Sequence, residues 1–118
     1  TEAYMAPEQM DAKRVGPKAD QYSLSMIAYQ LIAGRLPWKE TDSSARITVA
    51  KMTGDLKPLS SFRNICLELS DAVMKGLSTH PKNRYQSCAA LVDAMEKSLL
   101  PDNIESRLSK ITEKRNFY

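Results

Sequence analysis

Cysteine is nearly absent from this sequence of 118 residues, glycine is sparse and long apolar runs are missing. Cys66 and Cys88 stand alone in their segments, with no CxxC pair and only His80 as another soft ligand. That pattern argues against a zinc site or a disulfide framework and leaves both as reduced thiols in or near the core. No apolar stretch approaches the ~20 residues of a membrane helix, and no charged start leads into an apolar core and cleavage site. The expectation is a soluble, cytoplasmic chain, with any membrane anchor carried elsewhere in a longer parent. The 17 basic residues exceed the 14 acidic ones by three, and they are scattered from Lys13 to Arg115 rather than clustered, which gives nucleic-acid binding little support. No strand-like alternation and no repeat of roughly 20–50 residues is present.

What is present is a globular composition, 42% hydrophobic and 26% charged, enough to want a core. The stretch Asp20–Ala33 is apolar on nearly every face, which predicts a helix buried all round, with Asp20 as its N-terminal cap and Gly34 as its left-handed C-terminal stop. Arg35, Leu36, Pro37 and Trp38 then break the pattern. A weaker helical segment is predicted from about Ser44 to Thr53, closed by Gly54, and residues 55–65 read as surface connection. Leu69, Ala72, Val73, Gly76 and Leu77 fall on one helical face with Ser70 available as cap. Ser87 caps a further helix in which Cys88, Leu91, Val92, Met95 and Leu99 share a face, ending at Pro101. Asp102, Ile104, Glu105, Leu108 and Ile111 outline a last, thinly amphipathic helix. The fold class is therefore mainly α. One fully apolar helix with three or four partial companions makes a poor closed fold, and the opening residues include no initiator methionine. Both features read as a segment cut from something larger.

Four landmarks follow in chain order: Thr1-Glu2-Ala3-Tyr4-Met5-Ala6-Pro7-Glu8, Asp20-Gln21-Tyr22-Ser23-Leu24, Gly34-Arg35-Leu36-Pro37-Trp38 and His80-Pro81-Lys82-Asn83-Arg84-Tyr85. Together they resemble the C-terminal part of the large lobe of a protein kinase catalytic domain, from the A-P-E segment onward, over residues 1–99. Residues 100–118 then form a C-terminal extension or linker. The wording of the motifs is similar to that of eukaryotic-like Ser/Thr kinases of bacteria. A complete protein of this family transfers the γ-phosphoryl group of ATP to Ser or Thr of a protein substrate, with Mg2+. Its partners are that substrate and the remainder of the kinase domain.

The resemblance implies roles residue by residue. Thr1 matches the threonine that helps hold the acceptor hydroxyl, and Tyr4 and Met5 match the wall of the pocket for the residue just after the phosphoacceptor. Glu8 and Arg84 match the ion pair that ties the activation segment to the final helices. Asp20 matches an aspartate that accepts hydrogen bonds from the catalytic loop, and Ile27 and Leu31 match apolar anchors beneath the family's hydrophobic spine. Tyr22, Ser25 and Gln30 depart from the residues usual at their positions, which are tryptophan, glycine and, in many kinases, a glutamate that selects basic substrates. His80 reads as a surface residue of its turn.

Phosphoryl transfer in this family needs a glycine-rich loop, a phosphate-binding lysine, a catalytic aspartate and metal ligands such as the aspartate of D-F-G. The sequence contains no G-x-G-x-x-G, V-A-I-K, H-R-D or D-F-G. No catalytic, cofactor-binding or metal-binding residue is therefore assigned, ATP and Mg2+ belong to the complete parent, and the chain alone is expected to be inactive. The competing reading is a pseudokinase or a truncated helical protein-binding module.

Overall fold

The computed structural model describes residues 2–12 and 16–100, and within them the fold is helical with no strand. Five α-helices follow in order: α1 (Pro7–Ala12), α2 (Pro17–Ala33), α3 (Ser44–Thr53), α4 (Leu67–Gly76) and α5 (Cys88–Ser98). Short 3-10 turns precede α1 (Glu2–Tyr4), lead into α4 (Leu59–Ser61) and lead towards α5 (Pro81–Asn83). Helix α2 is the centre, with α4 and α5 packed on each other and on α2, while α1 leans on α3. The tail from Pro101, including the amphipathic pattern at 104–111, lies outside the described residues.

Helix α2 begins three residues earlier than the apolar pattern, because Pro17 occupies the first turn, where a missing N–H costs nothing, and Gly16 takes the cap position. Asp20 is therefore no cap. It sits exposed in the first turn, where its charge still complements the helix dipole. Gly34 and Gly54 do end α2 and α3 in the left-handed conformation, at φ 73° and 75°. Helix α4 starts at Leu67 rather than after Ser70, whose hydroxyl is buried inside the helix and accepts the Ser60 N–H. Ser87 caps α5 as expected, accepting the Ala90 N–H at 3.1 Å. That helix ends at Ser98, short of Pro101.

The largest difference concerns α2. Tyr22, Met26 and Tyr29 are completely buried against Leu69, Val73 and Leu77 of the α4 region, yet Ile27 is 42% exposed and Leu31 80% exposed. Asp20, Leu24, Ile27 and Leu31 recur at i, i+4, i+7 and i+11, a single stripe down the helix, so the helix is packed on one side and open along another. Ile27 and Leu31 are thus not core residues within this chain. Helix α5 is narrower than its pattern too, since Leu91 is buried while Val92 and Leu99 are exposed. The 55–65 connection contributes more than surface. Leu59 is fully buried, Tyr29 donates its hydroxyl to Lys57 O at 2.8 Å, and Phe62 meets the Tyr29 ring edge-on.

The crossing of α2 with α4 is set by two small residues. A Cβ on Gly76 would come within 1.9 Å of Ser25 Oγ and 3.0 Å of Ser25 Cβ, so glycine at 76 makes room for the serine on the facing helix. The Ser25 hydroxyl, buried here, has no hydrogen-bond partner among the described residues. In denaturant unfolding of the chain, Gly76→Ala is expected to cost about 1–3 kcal/mol by overpacking. Ser25→Ala is expected to stabilise, because it removes an unpaired buried hydroxyl. The Ser25→Gly/Gly76→Ala double variant should recover most of the loss, less the ~1 kcal/mol of a helical glycine. Equal losses in the single and double variants would show that the crossing is not set by this contact.

Candidate functional site

The candidate site is the chain entering α1. Its frame is the ion pair between Glu8 of α1 and Arg84, which lies just past the Pro81–Asn83 turn. The guanidinium is fully buried and uses all five of its N–H donors. Nη1 and Nη2 grip the two Glu8 oxygens at 2.7 and 2.8 Å, a bidentate fork that matches the planar carboxylate. The other donors reach Lys18 O and Ser78 O, both at 2.9 Å, and Thr79 O at 3.3 Å. Beneath it, the Tyr22 ring lies 4.8 Å from the guanidinium carbon.

Burial pushes the Glu8 carboxyl up, but the Arg84 hydrogen bonds, its own backbone N–H and the Arg84 charge outweigh it and hold the group below its ordinary 4.5. Burial also drives the Tyr22 phenol well above its ordinary value, against the Arg84 charge, so it stays neutral. Next to the pair, Gln21 is fully buried and bonds the backbone of Tyr85 both ways. Its amide donates to Tyr85 O at 2.9 Å and its Oε1 accepts the Tyr85 N–H at 2.8 Å.

Of the residues expected to dock substrate, Tyr4 and Met5 are half-buried, and Thr1 lies outside the described residues. The Tyr4 hydroxyl donates to Gln30 Oε1 of α2 at 2.5 Å. Met5, Met10, Ala45 and Ile47 line an open groove of about 620 Å³ between the 3-10 turn, α1 and α3. The backbone of this segment is held by side chains that the motifs do not single out. Ser23 Oγ donates to Tyr4 O at 2.6 Å. Lys51 of α3 donates to Glu2 O, Ala3 O and Met5 O at 2.8, 2.8 and 2.9 Å. The only signal for Lys51 in the sequence is its place four residues after Ile47 on the inward side of a weakly patterned helix. The Asp20 carboxylate has no partner among the described residues, and His80 is exposed.

These features coincide with a known sequence family. The family model described as "Protein kinase domain" matches residues 1–112. The chain belongs to the protein kinase domain family. It is 34% identical over 99 residues to the serine/threonine-protein kinase Pkn1 of Myxococcus xanthus, covering 84% of this chain and 14% of that protein. It is 30% identical over 92 residues to serine/threonine-protein kinase PknB of Mycobacterium leprae, covering 77% and 15%. The crystal structure of the Mycobacterium tuberculosis PknI kinase domain superposes with a TM-score of 0.60 at 32% identity, over 80% of this chain and 34% of that domain. The chain therefore has the sequence and fold of a helical part of a bacterial-type Ser/Thr kinase domain, and spans about a seventh of those two curated relatives.

Among the described residues no three His, Cys, Asp or Glu side chains are grouped to hold a metal ion, and the sequence offers no glycine-rich phosphate loop. No described helix is long and apolar enough to cross a membrane.

Removing Arg84 strands the Glu8 carboxylate, so Arg84→Met is expected to lower unfolding stability by about 3–5 kcal/mol. Asp93→Asn, which breaks the exposed Lys97–Asp93 pair at 3.0 Å, should stay within about 0.5 kcal/mol. Because the folded Glu8 pKa is lowered, the pair's contribution is complete above the ordinary 4.5 and is lost as pH falls through the folded value. Urea midpoints of wild type and Arg84→Met should therefore converge as the buffer is acidified below 4.5. A gap that holds constant would contradict the assignment.

Proposed function

We propose that this chain is the acceptor-docking and supporting portion of a Ser/Thr protein kinase whose complete form transfers the γ-phosphoryl group of ATP to a protein serine or threonine. Residues 1–99 supply the lobe and residues 100–118 extend from it. The observation that carries this reading is the stripe of exposed Asp20, Ile27 and Leu31, with half-buried Leu24 between them, on the helix whose other side packs into the core. Exposed leucine and isoleucine in line with a carboxylate that has no partner among the described residues fit a face covered by the remainder of a kinase domain. There, Asp20 accepts backbone N–H groups of the catalytic loop and Ile27 and Leu31 support the apolar stack above them.

Thr1, Tyr4 and Met5 meet the acceptor peptide. Thr1 serves the acceptor hydroxyl, and the groove beside Met5 takes the side chain of the next residue. Gln30 is neutral and engaged with Tyr4, which supports a preference for substrates that are not strongly basic. ATP and Mg2+ are bound by the complete enzyme through residues this sequence does not contain, so the chain itself provides position and rigidity.

Two measurements test this. The purified chain is expected to transfer no labelled phosphate from ATP, while the full-length protein phosphorylates Ser/Thr peptides; incorporation by the chain alone after stringent purification would overturn the division of labour. Leu31→Gln is expected to change the stability of the chain by no more than about 0.5 kcal/mol, since that side chain is exposed. In the full-length protein the same change buries an amide without a partner and should cost about 2 kcal/mol or more. Equal effects in both would remove the docking face.

A further inference from the structure

We infer that Lys51 is a positioning residue for acceptor docking, its ammonium group moulding the backbone that presents Tyr4 and Met5. The inference rests on the kinase reading for its function and on the structure for its geometry. An ammonium has three N–H donors and no more, and those of Lys51 meet three carbonyls of one short segment, Glu2 O, Ala3 O and Met5 O. The side chain is 1% exposed, so no water competes for them.

Glu2 O also closes the 3-10 turn by accepting the Met5 N–H at 3.2 Å, and its second lone pair takes the lysine. The remaining carbonyl, Tyr4 O, is taken by Ser23. Four consecutive carbonyls are thereby fixed by two side chains from two different helices. The rings of Trp38 and Tyr22 stand 5.3 and 6.0 Å from the ammonium, within the range of cation–π attraction. This gives the tryptophan of the Gly34–Trp38 landmark a part in the same cage.

The arrangement does not maximise stability. Burial draws Lys51 down to about 8, with the Glu2 charge opposing, and a lysine whose folded pKa lies below its unfolded 10.5 opposes folding wherever it is charged in the folded state. The full penalty applies below about pH 8, where both states hold the proton. A charge kept there against its own burial is explained by the shape it imposes on residues 2–5. An apolar side chain of the same length would fill the space without imposing it.

The test compares wild type with Lys51→Met in the full-length protein, using Ser/Thr peptides that differ in the residue after the acceptor. The expected result is a rise of about tenfold or more in peptide KM and a changed preference at that position, with kcat and the KM for ATP within about threefold. Unchanged peptide KM and preference in an active enzyme would overturn the inference while sparing the kinase reading. Absence of phosphotransfer by the wild type would instead overturn that reading, and the docking role with it.

The geometry is checked separately in the chain by amide exchange. Lys51→Met should speed exchange at Met5 and Ala6 by about tenfold or more while Val73 and Leu91 keep their protection. Unchanged exchange at Met5 and Ala6 would overturn the inference. Should the variant lose protection throughout, the wild-type ammonium protons decide. Slow exchange with solvent supports the cage, and exchange as fast as at exposed Lys39 and Lys82 overturns it.

Discussion

Arg84 is the constraint on which the rest of the structure depends. Its five donors bind Glu8 in α1, the first turn of α2 through Lys18 O, and the chain leaving α4 through Ser78 O and Thr79 O. The partners lie up to 76 residues away in sequence, and one planar cation brings them within a few ångströms. A fork with fixed angles can satisfy all of them only in one arrangement, so the ion pair specifies geometry more than it supplies net energy. Once it is in place, Gln21 can meet the backbone of Tyr85, the Tyr22 ring lies beneath the guanidinium, and α1 is fixed where the preceding residues must run past α2 and α3.

That placement explains why α2 has two unlike sides. Towards α4 and α5 it offers aromatic and sulfur-containing side chains that interdigitate with a leucine and valine surface, and a serine opposite a glycine lets the backbones approach. On the other side it offers branched aliphatic residues to open space, in line with a carboxylate. A helix that is apolar all round has no amphipathic direction, so its pattern tells that it needs partners everywhere but not which partners are at hand.

The same helix marks the boundary of what is legible in the sequence. Helix α3 and the one-sided face of α4 are readable because spacing and glycine stops are local properties, and the Glu8–Arg84 pair is readable because both residues belong to family landmarks. The start of α2 misleads because Asp20 has the chemistry of a cap, while the actual boundary is made by Gly16 and Pro17. The burial of Leu59 is hidden because its loop has no period, and the exposure of Ile27 and Leu31 because hydrophobicity does not say whether burial comes from the same chain. Lys51, Ser23 and Gln21 escape notice for a common reason. Each acts on main-chain carbonyls or amides, which every residue possesses, so nothing in the partner's identity marks the contact.

The carbonyl grip on residues 2–5 has a consequence for how such a surface changes over time. Because the anchoring atoms are main-chain oxygens, the identities of the side chains along the segment are decoupled from its conformation. Mutation there can exchange one side-chain chemistry for another while the path of the chain stays as it was, with Lys51 and Ser23 as the fixed scaffold. A surface built in this way can diversify at its side chains without having to fold anew each time.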